Sequence, residues 1–219
     1  MASPAALRRA LRAPWGIRAG SLAAAVLPAG RIPTHHMAGP FRALYGSSWP
    51  ARPTWLVAVE LDSGTRTVFG RDRTDVPVGD AVRASCAIPA FFEPVVIDGQ
   101  RYVDGGVHST TNADLVSGDK PDLVIVSAPM STERGATRGI ELPMRQWARA
   151  SLVTEIARLR ARRIPVLAFQ PSSADLEVMS GNALDQRKVA PVCARVTETT
   201  LDRLRRDDVA DRLSRLTTA

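Results

Sequence analysis

Cysteine and lysine are both scarce in this sequence of 219 residues. The two cysteines, Cys86 and Cys193, are too few and too far apart for a disulfide framework or a metal knuckle. We therefore expect both to be reduced, buried thiols, and the sequence indicates no metal site and no cofactor. Lys120 and Lys188 are the only lysines, so the net charge of +7 comes almost wholly from arginine. A basic chain favours anionic partners such as phospholipid head groups or nucleic acid.

Long apolar runs and aromatic residues are also lacking. No run approaches the roughly 18 apolar residues of a membrane-spanning helix, so we expect a cytoplasmic or peripheral-membrane protein. A secretory signal is not expected, because Pro14 and Arg18 separate the N-terminal arginines from a short apolar run. The four tryptophans are scattered, which suits packing better than base stacking and makes nucleic-acid binding the weaker reading.

The remaining pattern is that of a folded chain in which strands alternate with helices. Hydrophobic residues make up 45% of the sequence, enough for one substantial core. Turn residues at Asp62 to Gly64 and at Gly99 predict two hairpins. We expect an α/β fold, with a mainly parallel central sheet flanked by helices, in a single domain over residues 1–219. The predicted strands are 54–61, 65–70, 122–129 and 166–169, and the main predicted helices are 78–86, 142–163 and about 194–216.

The second hairpin leads directly into the acidic residue of greatest interest. Asp104 follows a short strand-like run and precedes Gly105 and Gly106. An aspartate before two glycines is commonly a turn residue whose carboxylate binds nearby backbone N–H groups. A carboxylate in this position can also act as a general base. The surrounding residues are needed to distinguish a turn residue from a catalytic one.

The run from Ala84 to Leu115 resembles the C-terminal signature block of the patatin-like phospholipases. A Ser-x-Ala-x-Pro segment is followed by a hairpin, by an Asp-Gly-Gly motif and by a polar loop containing Asn112. Together with its flanking strands, the likeness extends from about residue 22 to about residue 195, which leaves 196–219 as a C-terminal helix. The matching elements are Ser85-Cys86-Ala87-Ile88-Pro89, Asp104-Gly105-Gly106 and Asn112.

The resemblance implies an acyl hydrolase with a two-residue catalytic centre. In such a centre a serine attacks the ester carbonyl and an aspartate accepts its proton. Asp104 is then the general base, and Gly105 and Gly106 leave room for close approach of backbone or substrate. The implied substrates are lipids or other esters, and peripheral contact with an anionic membrane would suit the basic charge.

The chain departs from the family where the nucleophile is expected. No Gly-x-Ser-x-Gly elbow and no upstream glycine-rich oxyanion loop occur in the sequence. Ser21 has alanines at both elbow glycine positions, so we do not assign it as the nucleophile. His108, near Asp104, is read as a surface loop residue. The adjacent His35 and His36 point to opposite faces of an extended segment and should not share a metal.

Two interpretations of these departures stay open. In one, the chain is an N-terminally incomplete hydrolase domain that is inactive alone and, because its sheet edge is exposed, poorly soluble. In the other, it is a catalytically inactive relative that binds lipid or protein.

Overall fold

The computed structural model describes residues 3–12, 19–133, 141–179, 185–207, 209 and 213. The chain is a mixed α/β structure that divides into two compact units, the first unit (Met1–His108) and the second unit (Ser109–Ala219). The first unit contains α1 (Pro4–Arg12), α2 (Ala19–Val26), α3 (His35–Tyr45), β1 (Leu56–Glu60), β2 (Arg66–Phe69), α4 (Val78–Ser85), β3 (Val95–Ile97) and β4 (Gln100–Asp104). The second unit contains β5 (Val124–Ser127), α5 (Leu142–Ala161), β6 (Val166–Phe169), α6 (Ser173–Met179) and α7 (Val189–Leu204).

The main sheet is antiparallel, so the prediction of a mainly parallel sheet was wrong. Its four strands lie in the order β2-β1-β4-β3, and each neighbouring pair is antiparallel. Strands joined by a tight turn must run in opposite directions, and the two hairpins then pair with each other through β1 and β4, which are also antiparallel. The strand-rich part of the first unit is thus built from two hairpins laid side by side.

The turn between β3 and β4 fixes which side chains face the core. Asp98 and Gly99 both have positive φ, at 50° and 76°. This is the backbone that a two-residue type I′ hairpin requires, and an Asp-Gly pair supplies it at low cost. The resulting register pairs Val95 with Tyr102, and both side chains are buried. The Tyr102 ring packs edge-on against Phe69, with 5.3 Å between the ring centroids.

Helices cover the first unit's sheet with small side chains. α4 contributes Ala81 and Ala84 to the cluster around Phe69 and Tyr102. Ala24 of α2 packs in a second cluster that includes Val59, Val103 and Val107. Alanines let helix backbones approach a sheet closely, and the apolar area that they bury contributes about 25 cal/mol per Å².

The segment containing His35 and His36 is helical, which corrects the expectation of an extended chain. The two residues begin α3, and their rings meet edge-on with centroids 6.2 Å apart. Among the residues that the structure describes, no group of three His, Cys, Asp or Glu side chains could hold a metal ion.

The second unit has a parallel strand pair, as the sequence pattern indicated for β5 and β6. Val124 pairs with Val166 and Ser127 with Phe169. The crossover between the strands contains α5, whose Leu152 and Leu159 are fully buried against them. Burial of each leucine side chain contributes about 1.5–3 kcal/mol.

The C-terminal helix begins about five residues before its predicted start. α7 covers Val189–Leu204, whereas the sequence pattern predicted about 194–216; residues 207, 209 and 213 are also helical, and the other residues from 208 onward lie outside the described part of the chain. Within the described ranges, no helix has both the length and the apolar character that crossing a bilayer requires.

Candidate active site

Asp104 is the last residue of β4 and the first hydrogen-bonded residue of the turn that follows. It lies opposite Ala58 in the pairing of β4 with β1. Residues Gly105–Val107 then form a short 3₁₀ turn. Asp104 caps this turn, because its Oδ1 accepts a hydrogen bond from the Gly106 N–H at 2.6 Å. The carboxylate is thus held by its own neighbour, as the turn interpretation of the sequence anticipated.

Gly105 is required by the close approach of the turn to β1. A Cβ atom at this position would overlap the Val57 carbonyl oxygen, which is backbone and cannot rotate away. Gly105 itself is buried. The first glycine of the motif therefore allows β4 to end against β1 with the Asp104 carboxylate fixed beside it.

The Ser-x-Ala-x-Pro segment and the Asp-Gly-Gly motif are joined by a backbone hydrogen bond. The Ala87 carbonyl accepts from the Asp104 N–H at 2.9 Å. Ala87 is fully buried beside Ala84 and Tyr102, so no larger side chain fits without displacing them. Ala87 and Asp104 are seventeen residues apart in sequence, and this hydrogen bond places the two motifs side by side.

The surroundings of Asp104 make it a stronger base than a free aspartate. Burial raises the pKa of its carboxyl group, and the hydrogen bond from the Gly106 N–H offsets part of that rise. Within the described residues no cation pairs with Asp104, and its Oδ2 accepts no hydrogen bond. One oxygen is therefore anchored while the other stays available to a proton donor.

The negative charge of Asp104 acts on the thiol of Cys86. Partial burial, and secondarily the Asp104 carboxylate, raise the pKa of the Cys86 thiol. The thiol is therefore protonated at neutral pH and is not an activated nucleophile. Cys86 and Cys193 are both free and exposed, which corrects the expectation that they are buried.

Ser21 is placed in the core and not in an accessible site. It lies on α2 with 4% of its surface exposed. Its Oγ is buried and has no hydrogen-bond partner among the described residues, so it makes no bond to Asp104. A buried hydroxyl of this kind is not accessible to an ester carbonyl. The other nearby polar residue, His108, ends the turn by donating its backbone N–H to the Gly105 carbonyl.

Asn112, the polar residue of the loop after the motif, is described with the second unit. Its φ is +49°, and its Nδ2 donates to the Ser109 carbonyl at 2.6 Å. The 3₁₀ helix that follows begins at Ala113, whose N–H donates to the Glu155 carboxylate at 2.9 Å. The Thr111 hydroxyl donates to the same oxygen at 2.7 Å.

Glu155 is a residue that the sequence reasoning missed. It is buried on α5, with 3% of its surface exposed. The available signal was an acidic residue three positions after Leu152 and four before Leu159, on the apolar face of a helix. A carboxylate in such a position needs buried donors, and the loop that contains Asn112 provides them.

Comparison with known proteins finds similar sequences for one stretch of the chain. Residues 56–117 match the family model described as patatin-like phospholipase. The uncharacterised protein YqhO of Bacillus subtilis is 36% identical in a match that covers 36% of this chain and 32% of that protein. Uncharacterised NTE family proteins of Mycobacterium bovis and Mycobacterium tuberculosis are each 33% identical over 41% of this chain and 24% of the relative.

These matches cover only part of each protein. The chain spans between about a quarter and a third of the length of the curated relatives that it matches. The matched residues nonetheless include the Ser-x-Ala-x-Pro segment, the hairpin and Asp104. Residues 56–117 therefore resemble part of a patatin-like phospholipase domain, and the chain is distantly similar to proteins of the NTE family.

Proposed function

We propose that this chain carries the general-base half of a lipid acyl hydrolase, with Asp104 as the base of a Ser/Asp dyad. The observation that supports this most directly is the state of the Asp104 carboxylate. Its Oδ1 is fixed by the Gly106 N–H, its Oδ2 is available, and burial raises its pKa. A structural turn residue would need only the first of these properties.

In the proposed reaction a serine hydroxyl attacks the carboxylic ester carbonyl. Its proton passes to Oδ2 of Asp104 as the new C–O bond forms, and returns to the alcohol that leaves. A carboxylate that is partly desolvated gives up less solvation when it accepts this proton, so burial favours the transfer. The fixed Oδ1 limits rotation of the group and keeps Oδ2 aligned.

The nucleophile and the oxyanion donors would come from sequence outside these 219 residues. No Gly-x-Ser-x-Gly elbow occurs within them, and Ser21 is buried. We accordingly expect the 219-residue chain alone to show no esterase activity. The patatin-like match supports lipid esters as the substrate class.

The test begins with the reading frame upstream of the Met1 codon. If it encodes an elbow and a glycine-rich loop, the extended protein should hydrolyse short p-nitrophenyl esters and phospholipids. Asp104→Asn in that protein should reduce kcat/KM by about 10²–10⁴-fold, the range expected for loss of a general base. Circular dichroism would verify that the variant is folded.

Asp98→Asn is the matched control for this substitution. Asp98 lies in the β3–β4 turn, is 70% exposed and pairs with Arg73, so its loss should leave turnover unchanged. An extended protein that keeps full activity with Asn at position 104 would refute the assignment of the base. An upstream stop codon with neither motif would refute the hydrolytic reading.

The second candidate function is non-catalytic binding to a lipid surface. It is favoured by three exposed apolar side chains, those of Ile32, Ile88 and Phe91. They share one part of the surface, because the Ile32 N–H donates to the Phe91 carbonyl at 3.3 Å and Phe91 follows Ile88 in one turn. Co-sedimentation of the chain with anionic vesicles that is lost in Ile88→Ser and Phe91→Ser, together with no esterase activity in the extended protein, would favour this function.

A further inference from the structure

The outer side of α5, the longest helix of the second unit, carries no negative charge. The inner side buries Leu152 and Leu159 against the parallel strands. Glu155, the single acidic residue of this helix, is buried on the same inner side. Because a helix face that is only solvated typically mixes acidic with basic residues, an outer side without any acid indicates a different environment.

Apolar side chains occupy much of this outer side. Trp147 is 38% exposed and Val153 is 49% exposed. Residues three or four positions apart share one side of a helix, and the apolar residues of α5 recur at this interval. The α5 outer face consists of Met144, Trp147, Ala150, Val153, Ala157 and Ala161, all of which are exposed. Apolar area of this kind contributes free energy only where another surface covers it.

Arginines flank the α5 outer face at its C-terminal half. At about 100° per residue, Arg158 and Arg160 fall on opposite borders of the face, and both are exposed. Arg158 lies 3.9 Å from Asp114, which is the limit of an ion pair. Among the residues that the structure describes, no carboxylate pairs with Arg160. The apolar face is thus bordered by positive charge on both sides.

The C-terminal end of α5 adds further positive charge. Arg162 and Arg163 follow the last turn and are exposed, and Arg162 donates to the Ser117 carbonyl at 3.1 Å. The neighbouring loop carries the exposed charged residues Asp119, Lys120 and Asp122. Five cations therefore stand against three carboxylates here, Asp114 included. Cations at a helix C-terminus also interact with the helix dipole, but that role requires no apolar face between them.

An apolar band between arginines fits the surface of an anionic membrane. Long basic side chains reach from such a band to lipid phosphates, while the apolar side chains lie at the head-group boundary. Tryptophan, here Trp147, is enriched at this boundary. A nucleic acid would match the arginines but would leave the apolar band exposed to water.

We propose that the α5 outer face rests on an anionic membrane. Trp147 and Val153 lie at the head-group boundary, and Arg158 and Arg160 contact lipid phosphates. The contact is peripheral, since the inner side of α5 stays packed on β5 and β6. The proposal concerns the second unit alone and depends neither on hydrolysis by Asp104 nor on the exposed apolar surface of the first unit.

The first test is co-sedimentation of the 219-residue chain with vesicles of phosphatidylcholine that contain about 30% phosphatidylserine. Binding should exceed that to pure phosphatidylcholine vesicles, because each arginine near the surface gains from the anionic lipid. Added salt should weaken the binding, since it screens exposed charges. Equal binding to both kinds of vesicle, or binding to neither, would overturn the proposal.

Val153→Asp tests the apolar band. An aspartate at this position should reduce the affinity about tenfold or more, because it removes apolar area and repels anionic lipid. Val189→Asp is the matched control, since Val189 begins α7 and is 52% exposed. It should bind as the wild type does. Thermal melts would verify that both variants are folded, and a folded Val153→Asp with undiminished binding would overturn the proposal.

Arg160→Gln tests the contact with phosphate. Loss of one surface arginine should weaken binding about fivefold. Arg187→Gln is the control of equal charge, since Arg187 is 90% exposed, pairs with Asp185 and lies outside α5. The same affinity in the wild type and in Arg160→Gln would refute the assigned contact.

Two other results would assign the binding elsewhere. If Ile88→Ser and Phe91→Ser abolished sedimentation while the α5 variants kept it, the membrane contact would belong to the first unit and the proposal would be wrong. If the chain bound poly-L-glutamate and no vesicles, the partner of the α5 outer face would be an acidic polypeptide, which would also overturn the proposal.

Discussion

The first and second units hold their polar residues in place by different means. In the first unit Asp104 is positioned by backbone, through the pairing of β4 with β1 and the close approach of Gly105 to Val57. In the second unit side chains hold the backbone in place; for example, the Glu155 carboxylate accepts a hydrogen bond from the Ala113 N–H. Where backbone packs against backbone, as at Gly105, a substitution that adds a Cβ should be destabilising. Where a side chain accepts the hydrogen bonds, as at Glu155, a substitution that retains an acceptor oxygen should be tolerated.

The largest expected effect is that of Gly105→Ala. The added Cβ would overlap the Val57 carbonyl oxygen, so β4 or β1 must move. We expect the free energy of unfolding to fall by about 2–4 kcal/mol. Urea denaturation followed by circular dichroism would measure this. Hydrogen exchange should localise the loss of protection to β1 and β4 and leave β5 and β6 unchanged.

Gly118→Ala is the control for this substitution. Gly118 ends the 3₁₀ helix Ala113–Gly118, and apart from its chain neighbours a Cβ there would meet no atom within 4 Å. The same chemical change should therefore stabilise the protein by about 0.4–1 kcal/mol, because it lowers the conformational entropy of the unfolded chain. Equal stability of the two variants would show that the backbone of β1 and β4 adapts to the Cβ at position 105.

Glu155→Ala should have the next largest effect. It would leave the buried Ala113 N–H without an acceptor and remove the partner of Thr111. A loss of about 1–3 kcal/mol is expected. Glu155→Gln should cost less, because the amide oxygen still accepts both hydrogen bonds. Faster amide exchange at Ala113 in the alanine variant, but not in the glutamine variant, would sharpen the contrast; equal exchange in both would contradict it.

The smallest expected effect is a gain in stability from Asp104→Asn. Because burial raises the pKa of Asp104, the folded protein binds this proton more tightly than the unfolded chain does. Ionisation of Asp104 therefore lowers stability as the pH rises through its pKa. At pH 7 the asparagine variant should have a free energy of unfolding higher than that of the wild type by about 1 kcal/mol or less, and it should therefore melt at a higher temperature.

The difference between Asp104→Asn and the wild type should vanish in acid, below the unfolded pKa of about 3.9. Paired thermal melts between pH 3 and pH 8 would measure it. A constant offset across this range would mean that ionisation of Asp104 carries no cost in the folded state.

Local patterns in the sequence predicted the parts of the fold that depend on local chemistry. The two hairpins follow from Asp62 to Gly64 and from Gly99, since turn residues act within a few positions. The parallel direction of β5 and β6 follows from the long helix between them. The pairing of β1 with β4 joins segments about forty residues apart, and no local pattern specifies it. That pairing makes the main sheet antiparallel, which is why the predicted sheet type was wrong.

The site was predictable to the same degree. Asp104 could be selected from its motif, although no comparison tests its role and the assignment stays a prediction. Burial of Asp104 and the availability of its Oδ2 depend on three-dimensional packing, which the sequence does not display. In the second unit Phe169, Val196 and Arg206 line one cavity, and only the fold brings these three segments of the chain together.

The two glycines after Asp104 are constrained for different reasons, and their tolerance to substitution should differ accordingly. A Cβ at Gly105 meets the backbone of β1, whereas a Cβ at Gly106 would lie 2.9 Å from Oδ1 of Asp104 and near no atom outside the motif. Substitution at position 105 therefore damages the fold. Substitution at position 106 would instead push the carboxylate out of alignment in a protein that still folds. In a library of variants, position 105 should be depleted when the selection is for folded protein, and position 106 only when it is for turnover.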